Sequence, residues 1–320
     1  METIMYRPEI KVLDCSIRDG GLINKWQFSD EFVRQTYIAC VAAGIDYMEI
    51  GYKASAELFD PKEYGKWRFC KDEDIQRTLD GIDLTCKLAC MVDIGRVEEK
   101  DLLPQEKSPF SLIRVASYVK DIDKAIDLAK LVQDKGYETC INIMAVSTNL
   151  EKDIDEALEQ LAKTDVPSVY VVDSYGNMFS EDVTFLVKKY QKFLPGKTIG
   201  IHTHNNRQLA FANTIQAIID GANFIDASMF GIGRGPGNCP MELLLGFLKN
   251  PKFNLRPVLQ VIQDHYLPLR EKIEWGYLIP YAITGILNEH PRTAIAWRSS
   301  KHRDDYTAFF DKLTTPEIIE

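Results

Sequence analysis

Eight short runs rich in Val, Ile, Tyr and Cys recur along the chain at a near-constant interval, and this spacing constrains the fold more than any other feature. KVLDCSI begins at 11, YMEIGY at 47, CKLACMVDI at 86, SLIRVAS at 111, TCINIMAV at 139, SVYVVDS at 168, TIGIHTH at 198 and FIDASMF at 224. Runs of this length and composition read as strands buried on both faces. The segments between them mostly carry helical periodicity, as in Leu209, Ala212, Ile215 and Ile219 of NNRQLAFANTIQAIIDG. Three joins, AAGIDYMEIGY, DKGYETCINIMA and DGANFIDASMF, put a glycine near a helix end, where it can stop the helix in the left-handed region before the next strand. Eight such βα units predict an α/β fold: a (β/α)8 TIM barrel over residues 1–250, followed by a C-terminal helical extension over 251–320 that is broken at Pro268, Pro280 and Pro291. A doubly wound dinucleotide fold competes, but SIRDGG after the first run contains no GxGxxG opening a helix.

Composition narrows the partners. With 45% apolar and 27% charged residues, the chain can bury a sizeable core. A formal net charge of −9 without any Lys/Arg run offers no footprint for nucleic acid or for an anionic membrane, so a small-molecule substrate is expected. Seven cysteines, odd in number and without CxxC spacing, point to reduced thiols. METIMYRPEI lacks the basic start and apolar stretch of a leader, which together with the thiols gives a cytoplasmic expectation.

In such a barrel the chemistry is expected at the carboxyl ends of the strands. His202 and His204 of IHTHNN end the seventh run, and residues i and i+2 of a strand share a face, a geometry suited to gripping one metal ion. The pair alone fits two packing histidines equally well. Arg18 and Asp19 of SIRDGG close the first run, which only the eighth strand separates from the seventh in a closed barrel; Gly20 and Gly21 would let the backbone turn close to a ligand. GIGRGPGNCP has Gly231, Gly233, Gly235 and Gly237 before Asn238, and such a loop can aim N–H groups at an anion with Arg234 assisting. Glu49 at the tip of the second strand reads as a carboxylate for Arg18 or as a rim charge. Arg114, a charge within an apolar run, requires a partner or a ligand carboxylate. Asp173 and Ser174 read as substrate contacts or turn residues. Trp67, Arg68 and Phe69 lie in the long connection from 53 to 84, a lid or packing. Lys53 is the lysine near a strand's carboxyl end, where a Schiff-base aldolase would need one.

SIRDGG, HTHNN and GIGRGPGNCP together resemble the DRE-TIM metallolyase superfamily, and NTIQAIIDGANFIDASMFGIGRGPGN is similar to the corresponding segment of its 4-hydroxy-2-oxovalerate aldolase branch. The resemblance implies a divalent cation, Mn2+ or Mg2+ ahead of Zn2+ or Co2+, held by Asp19, His202 and His204 with Asn238 approaching it. It implies that Arg18 stabilises the enolate formed when a C–C bond of a 2-oxo acid breaks. It also implies a C-terminal tyrosine acid, for which Tyr277 and Tyr281 of WGYLIPYAITG are the alternatives. One departure stands out: the branch carries a histidine base two residues after the RDG glycine, and here that position is Leu22. A cation-held water, a tyrosine or Cys239 would have to replace it. The branch docks onto an acylating aldehyde dehydrogenase; this chain ends sooner, so that partnership is not carried over, while a homo-oligomer is left open. The expected activity is metal-dependent cleavage of a 4-hydroxy-2-oxo acid. The alternatives are acetyl-CoA-dependent Claisen condensation on a 2-oxo acid, a metal-binding barrel without catalysis, and an Fe(II) oxygenase, which would leave Arg18 and the glycine loop unexplained.

Overall fold

A computed structural model describes residues 7–315. Its eight parallel strands close into a barrel in chain order: β1 (Lys11–Asp14), β2 (Tyr47–Tyr52), β3 (Lys87–Asp93), β4 (Phe110–Tyr118), β5 (Glu138–Met144), β6 (Ser168–Asp173), β7 (Thr198–Thr203) and β8 (Phe224–Ala227). Each begins within one residue of its expected start. The helices are α1 (Ser16–Asn24), α2 (Asp30–Ala43), α3 (Asp72–Thr78), α4 (Ile122–Asp134), α5 (Glu151–Ala162), α6 (Ser180–Phe193), α7 (Ala210–Ile219), α8 (Met241–Phe247) and α9 (Leu255–Val261). Gly44, Gly136 and Gly221, with φ of 72°, 94° and 107°, follow α2, α4 and α7 in the left-handed region, as the joins required.

Two levels of side chains fill the barrel. Leu13, Tyr47, Leu112, Tyr170 and Phe224 form an apolar floor, distinct from the main core between strands and helices. Two residues further along their strands, Cys15, Glu49, Arg114 and Asp226 point the same way and make a charged layer above it. Gly200 belongs to this construction: a Cβ there would lie 2.6 Å from the Tyr170 ring. The ring therefore crosses the barrel, and the Arg114 guanidinium stacks on it at 4.4 Å.

Two local expectations are corrected. SIRDGG does not end a strand; β1 stops at Asp14 and Arg18 and Asp19 lie on α1. Gly20 and Gly21 make room for protein rather than for a ligand, since a Cβ on Gly21 would lie 2.1 Å from the Trp26 ring and one on Gly20 3.1 Å from Ile232. Helix α7 exists, but its inner face is Ala210, Asn213, Thr214, Ala217 and Ile218, while Ile219 is exposed. Polar anchoring sets that face: the Thr214 and Thr203 hydroxyls meet at 2.9 Å, and Asn213 Nδ2 donates to Met178 O at 2.8 Å.

The barrel core continues past residue 250 through Val258, Val261, Tyr266 and Trp275. Tyr266 packs on Phe32 of α2 with ring centroids 4.8 Å apart, and its hydroxyl meets that of Thr36 at 3.0 Å. Beyond α10 (Leu267–Arg270), the helices α11 (Ile279–Ile286), α12 (Arg292–Arg298) and α13 (Tyr306–Thr314) carry a separate cluster of Tyr281, Ile283, Ala294 and Phe309. Asn206 ties this unit to the end of β7, donating to Tyr281 O at 3.1 Å. All seven cysteines are buried and unpaired. Among the described residues, no helix is long and apolar enough to cross a membrane.

Candidate active site

The carboxyl ends of β1, β7 and β8 bring the motifs together. One ligand atom from each of Asp19, His202 and His204 lies within 4.8 Å of the others, and all three residues are buried. His202 Nδ1 lies 2.9 Å from Asp226 Oδ2, which orients the ring and leaves the buried Nε2 without a partner. His204 Nδ1 lies 3.3 Å from Gly237 O. Burial, then Arg234, His202 and Arg18, outweigh Asp19 and hold the His204 pKa well below its ordinary value, so this imidazole is neutral. A neutral imidazole has a lone pair to give a metal.

Asp19 is held as a carboxylate. Arg18 Nη1 donates to its Oδ1 at 2.6 Å, while Asn238 Nδ2 and the Arg234 backbone N–H donate to its Oδ2 at 2.8 and 3.1 Å. Burial alone would raise its pKa, but His204, Arg18, His202 and Arg234 hold it well below the usual carboxylate range. Asn238 also donates to Ile232 O at 3.1 Å, leaving its Oδ1 buried and unpartnered.

The glycine loop encloses this carboxylate instead of opening toward an outside anion. A Cβ on Gly233 would come within 2.3 Å of Asn238 Nδ2 and 2.5 Å of Asp19 Oδ2. Gly235, at φ 60°, faces the Tyr281 ring, which a Cβ there would meet at 3.0 Å. Arg234 reaches back to Ser174 O, with its Nε buried and unpartnered.

Arg18 is fixed from two sides. Its Nε donates to Glu49 Oε2 at 2.6 Å and its Nη1 to Asp19, so Nη2 has no partner among the described residues. Glu49 Oε2 also accepts from Arg114 Nη1 at 2.9 Å, and Arg114 Nη2 donates to Asp226 Oδ2 at 2.7 Å. Arg114 is therefore engaged by two carboxylates behind the site, away from the substrate side. Asp226, which the sequence reading passed over, joins Arg114 to His202. Three buried carboxylates (Asp19, Glu49 and Asp226) face the guanidiniums of Arg18 and Arg114, with Arg234 close enough to act on Asp19 as well.

Together, a mixed nitrogen and oxygen donor set and the unpartnered His202 Nε2 and Asn238 Oδ1 fit a divalent cation. Cys15, His202 and Asp226 form a second grouping, but burial raises the Cys15 thiol pKa well above its ordinary value and Asp226 is already engaged.

The other expected residues separate. Tyr281 is buried against the glycine loop, its hydroxyl pKa raised to about 12 by burial, whereas Tyr277 is 55% exposed. The Ser174 hydroxyl accepts from the Ala145 N–H at 2.8 Å, a structural bond. Lys53 is buried against Asp72 at 2.5 Å. Burial would lower its pKa, but Cys90 and Asp72 raise it, so the ammonium keeps its proton and cannot form a Schiff base. Cys239 is fully buried in the apolar core, with its thiol pKa raised to about 12 by burial.

Beside the cluster, joined to it through Arg234 and Trp26, lies a cavity of about 840 Å³ that Leu22, Tyr52, Arg68, Met144 and His290 also line. His290 brings a histidine from the C-terminal unit to this mouth. Its Nδ1 accepts the Arg292 N–H at 3.0 Å, and burial with Arg234 and Arg292 lowers its pKa to about 4.

The HMGL-like family profile matches residues 112–264. An oxaloacetate decarboxylase of Mycobacterium tuberculosis is 31% identical over 74% of this chain and 69% of its own length. A 4-hydroxy-2-oxovalerate aldolase of Pelotomaculum thermopropionicum is 29% identical over 80% of this chain and 75% of its own. Among solved structures, the N-terminal domain of a candidate aldolase from Bacteroides vulgatus superposes with a TM-score of 0.77 at 29% identity, covering 93% of this chain and all of that one.

Proposed function

We propose, from the premise that this chain belongs to the HMGL-like family and is a carbon–carbon lyase, that it cleaves the C3–C4 bond of a 4-hydroxy-2-oxo acid with the help of a divalent cation. The resemblance implies Mn2+ or Mg2+; Asp19, His202, His204 and Asn238 would hold it, and with two imidazoles among the donors Mn2+ fits better than Mg2+. Such a cation would supply a Lewis acid for the substrate's keto and carboxylate oxygens. The observation that carries the reading is Arg18, anchored by Glu49 and Asp19 with Nη2 left over. When the C3–C4 bond breaks, the 4-hydroxyl passes its proton to water in the mouth and C4 becomes the aldehyde carbon, while the electron pair of the bond moves to C3 and on to the keto oxygen, where a pre-positioned guanidinium N–H stabilises the developing charge. Glu49, Arg114 and Asp226 keep Arg18 and His202 in place. Arg234 and the glycines at 233 and 235 close the wall over Asp19, and Tyr281 of α11, packed against that loop, is the candidate acid that returns a proton to C3.

A second reading has its own support. Aldol cleavage needs a base for the 4-hydroxyl, and Leu22 provides none. Loss of CO2 from C4 of a 2-oxo diacid yields the same enolate without any base. The relative from Mycobacterium tuberculosis is named for that reaction. Supplying the purified protein with Mn2+ and, separately, 4-hydroxy-2-oxo acids and oxaloacetate distinguishes the two: aldehyde appears on the first reading, CO2 on the second. Neither product from either substrate, with cation bound, would sink both.

A further inference from the structure

Arg68, in the connection between β2 and β3, has the surroundings of a receptor that awaits an anion. It is 4% exposed, yet its guanidinium makes no hydrogen bond to any described residue, its Nε is buried without a partner, and the nearest carboxylate oxygen, on Asp93, is 3.9 Å away. Three rings hold it, with Phe59 at 4.1 Å, Tyr52 at 4.5 Å and Trp26 at 4.7 Å from Cζ. Cation–π contacts position a guanidinium but leave its in-plane N–H groups unsatisfied, and a buried cation without hydrogen-bonded partners is costly unless a ligand completes it.

The support is built with some strain. Lys25 and Trp26 both adopt left-handed φ values, 56° and 58°, which non-glycine residues rarely do. Gly21 is flat against the Trp26 ring, and Gly65 against Trp26 O, where a Cβ would lie 1.9 Å away. The same indole donates from Nε1 to Arg18 O at 3.0 Å, so one side chain links the reacting end of the site to Arg68.

Charge in the mouth points the same way. Asp93 is paired with Arg96 at 3.2 Å, Asp121 with Lys124 at 2.8 Å, and Lys25 with Glu63 at 3.5 Å. Arg68, Arg234 and Arg292 also line the cavity, and none has a carboxylate within hydrogen-bond distance of its side chain among the described residues. A 2-oxo acid with one carboxylate would leave this set undercompensated, on a chain whose net charge is −9.

We infer that Arg68 binds a second carboxylate of the substrate, carried beyond C4, so that the preferred substrate is a 4-hydroxy-2-oxo diacid and the aldehyde released is itself an oxo acid. This rests on the lyase reading for its chemistry but not for its binding. An ion pair with a carboxylate that must leave as CO2 would stabilise the ground state and oppose its loss, which places the anion outside the breaking bond.

The test uses two isosteric pairs in which a terminal carboxylate replaces a terminal methyl. 2-Oxopentanedioate and 2-oxopentanoate cannot undergo aldol cleavage, and their affinities for the Mn2+-loaded wild-type protein are read by calorimetry. 4-Hydroxy-2-oxopentanedioate and 4-hydroxy-2-oxopentanoate are compared by kcat/KM. Wild type should favour the diacid by about 30-fold or more in both pairs. Arg68→Met should erase that preference and Arg68→Lys restore part of it, because an ammonium keeps the charge but loses the planar fork. Equal affinity of wild type for the two inert acids overturns the inference, whatever becomes of the variants. So does a preference that survives Arg68→Met. Diacid-selective binding that requires Arg68, with no cleavage of either substrate, refutes the aldol reading and upholds the receptor.

Discussion

At the scale of single residues, the site depends on which atoms are left over. His202 has a free Nε2 because Asp226 occupies Nδ1, and Asp226 is held in turn by Arg114. Removing such a support typically lowers metal affinity about 10–100-fold. Asp226→Ala should therefore weaken Mn2+ binding by that factor, read by calorimetry on folded protein; unchanged affinity would show that His202 needs no orienting carboxylate. The i, i+2 spacing paired His202 with His204 and the resemblance added Asp19, whereas for Glu49 the sequence left an Arg18 contact and a rim charge open, and packing selects the contact. Asp226 was not singled out, although the argument applied to Arg114, a charge inside an apolar run, applies to FIDAS as well. Its role lies in side-chain contacts to Arg114 and His202, which strand order alone does not give.

Among elements, the glycine loop and the C-terminal unit act together. Gly233 has no room for a Cβ between Asn238 and Asp19. Gly233→Ala should lower kcat/KM by at least about 10-fold through displaced ligands while leaving the fold intact, since the clash is local to the loop. Wild-type kinetics in that variant would show that the loop can shift freely. The two C-terminal tyrosines that sequence comparison could not separate are separated by packing. Tyr281→Phe should lower kcat by about 100-fold, in the range for losing a general acid, and Tyr277→Phe by less than about 2-fold. Matching losses would contradict this assignment. Strand positions were legible because buried parallel strands carry a dense apolar signature, and helix stops because glycine relieves the left-handed turn. The inner face of α7 was not, because Thr214 and Asn213 fix it through hydrogen bonds that an apolar count passes over. Helix α1 was hidden likewise: RDGG looks like a turn, but its second glycine makes room for Trp26.

Over the whole molecule, an apolar floor and a surrounding core support a layer of buried charge, and a buried carboxyl on the opposite face of β1 ties stability to pH. Asp14 is fully buried, and burial raises its pKa to about 7 against the opposing hydrogen bonds from Ser16. The folded chain thus keeps this proton up to about pH 7, while the unfolded chain releases it near the ordinary value of 3.8. Its contribution to stability is complete below the unfolded value and is lost as pH rises through about 7. The Tm difference between wild type and Asp14→Asn should change in favour of the variant from pH 5 to pH 8; a constant difference would refute the shift. The order of the elements, and hence the convergence of motifs from β1, β7 and β8, followed from the repeat interval alone. What the sequence did not give was the packing of residues 255–275 onto the barrel or the arrival of His290 at its mouth, both of which depend on contacts between distant segments.

The most direct test of the account follows 2-oxo acid release from 4-hydroxy-2-oxo acids by coupling to lactate dehydrogenase. Wild type with Mn2+ is compared with chelator-treated protein and with His204→Ala. Release that falls by about 100-fold or more under both treatments is the predicted result. Release that persists with chelator and in the variant would contradict a metal-dependent site at Asp19, His202 and His204, and silence across the panel while Mn2+ is bound would contradict the aldol reading of that site.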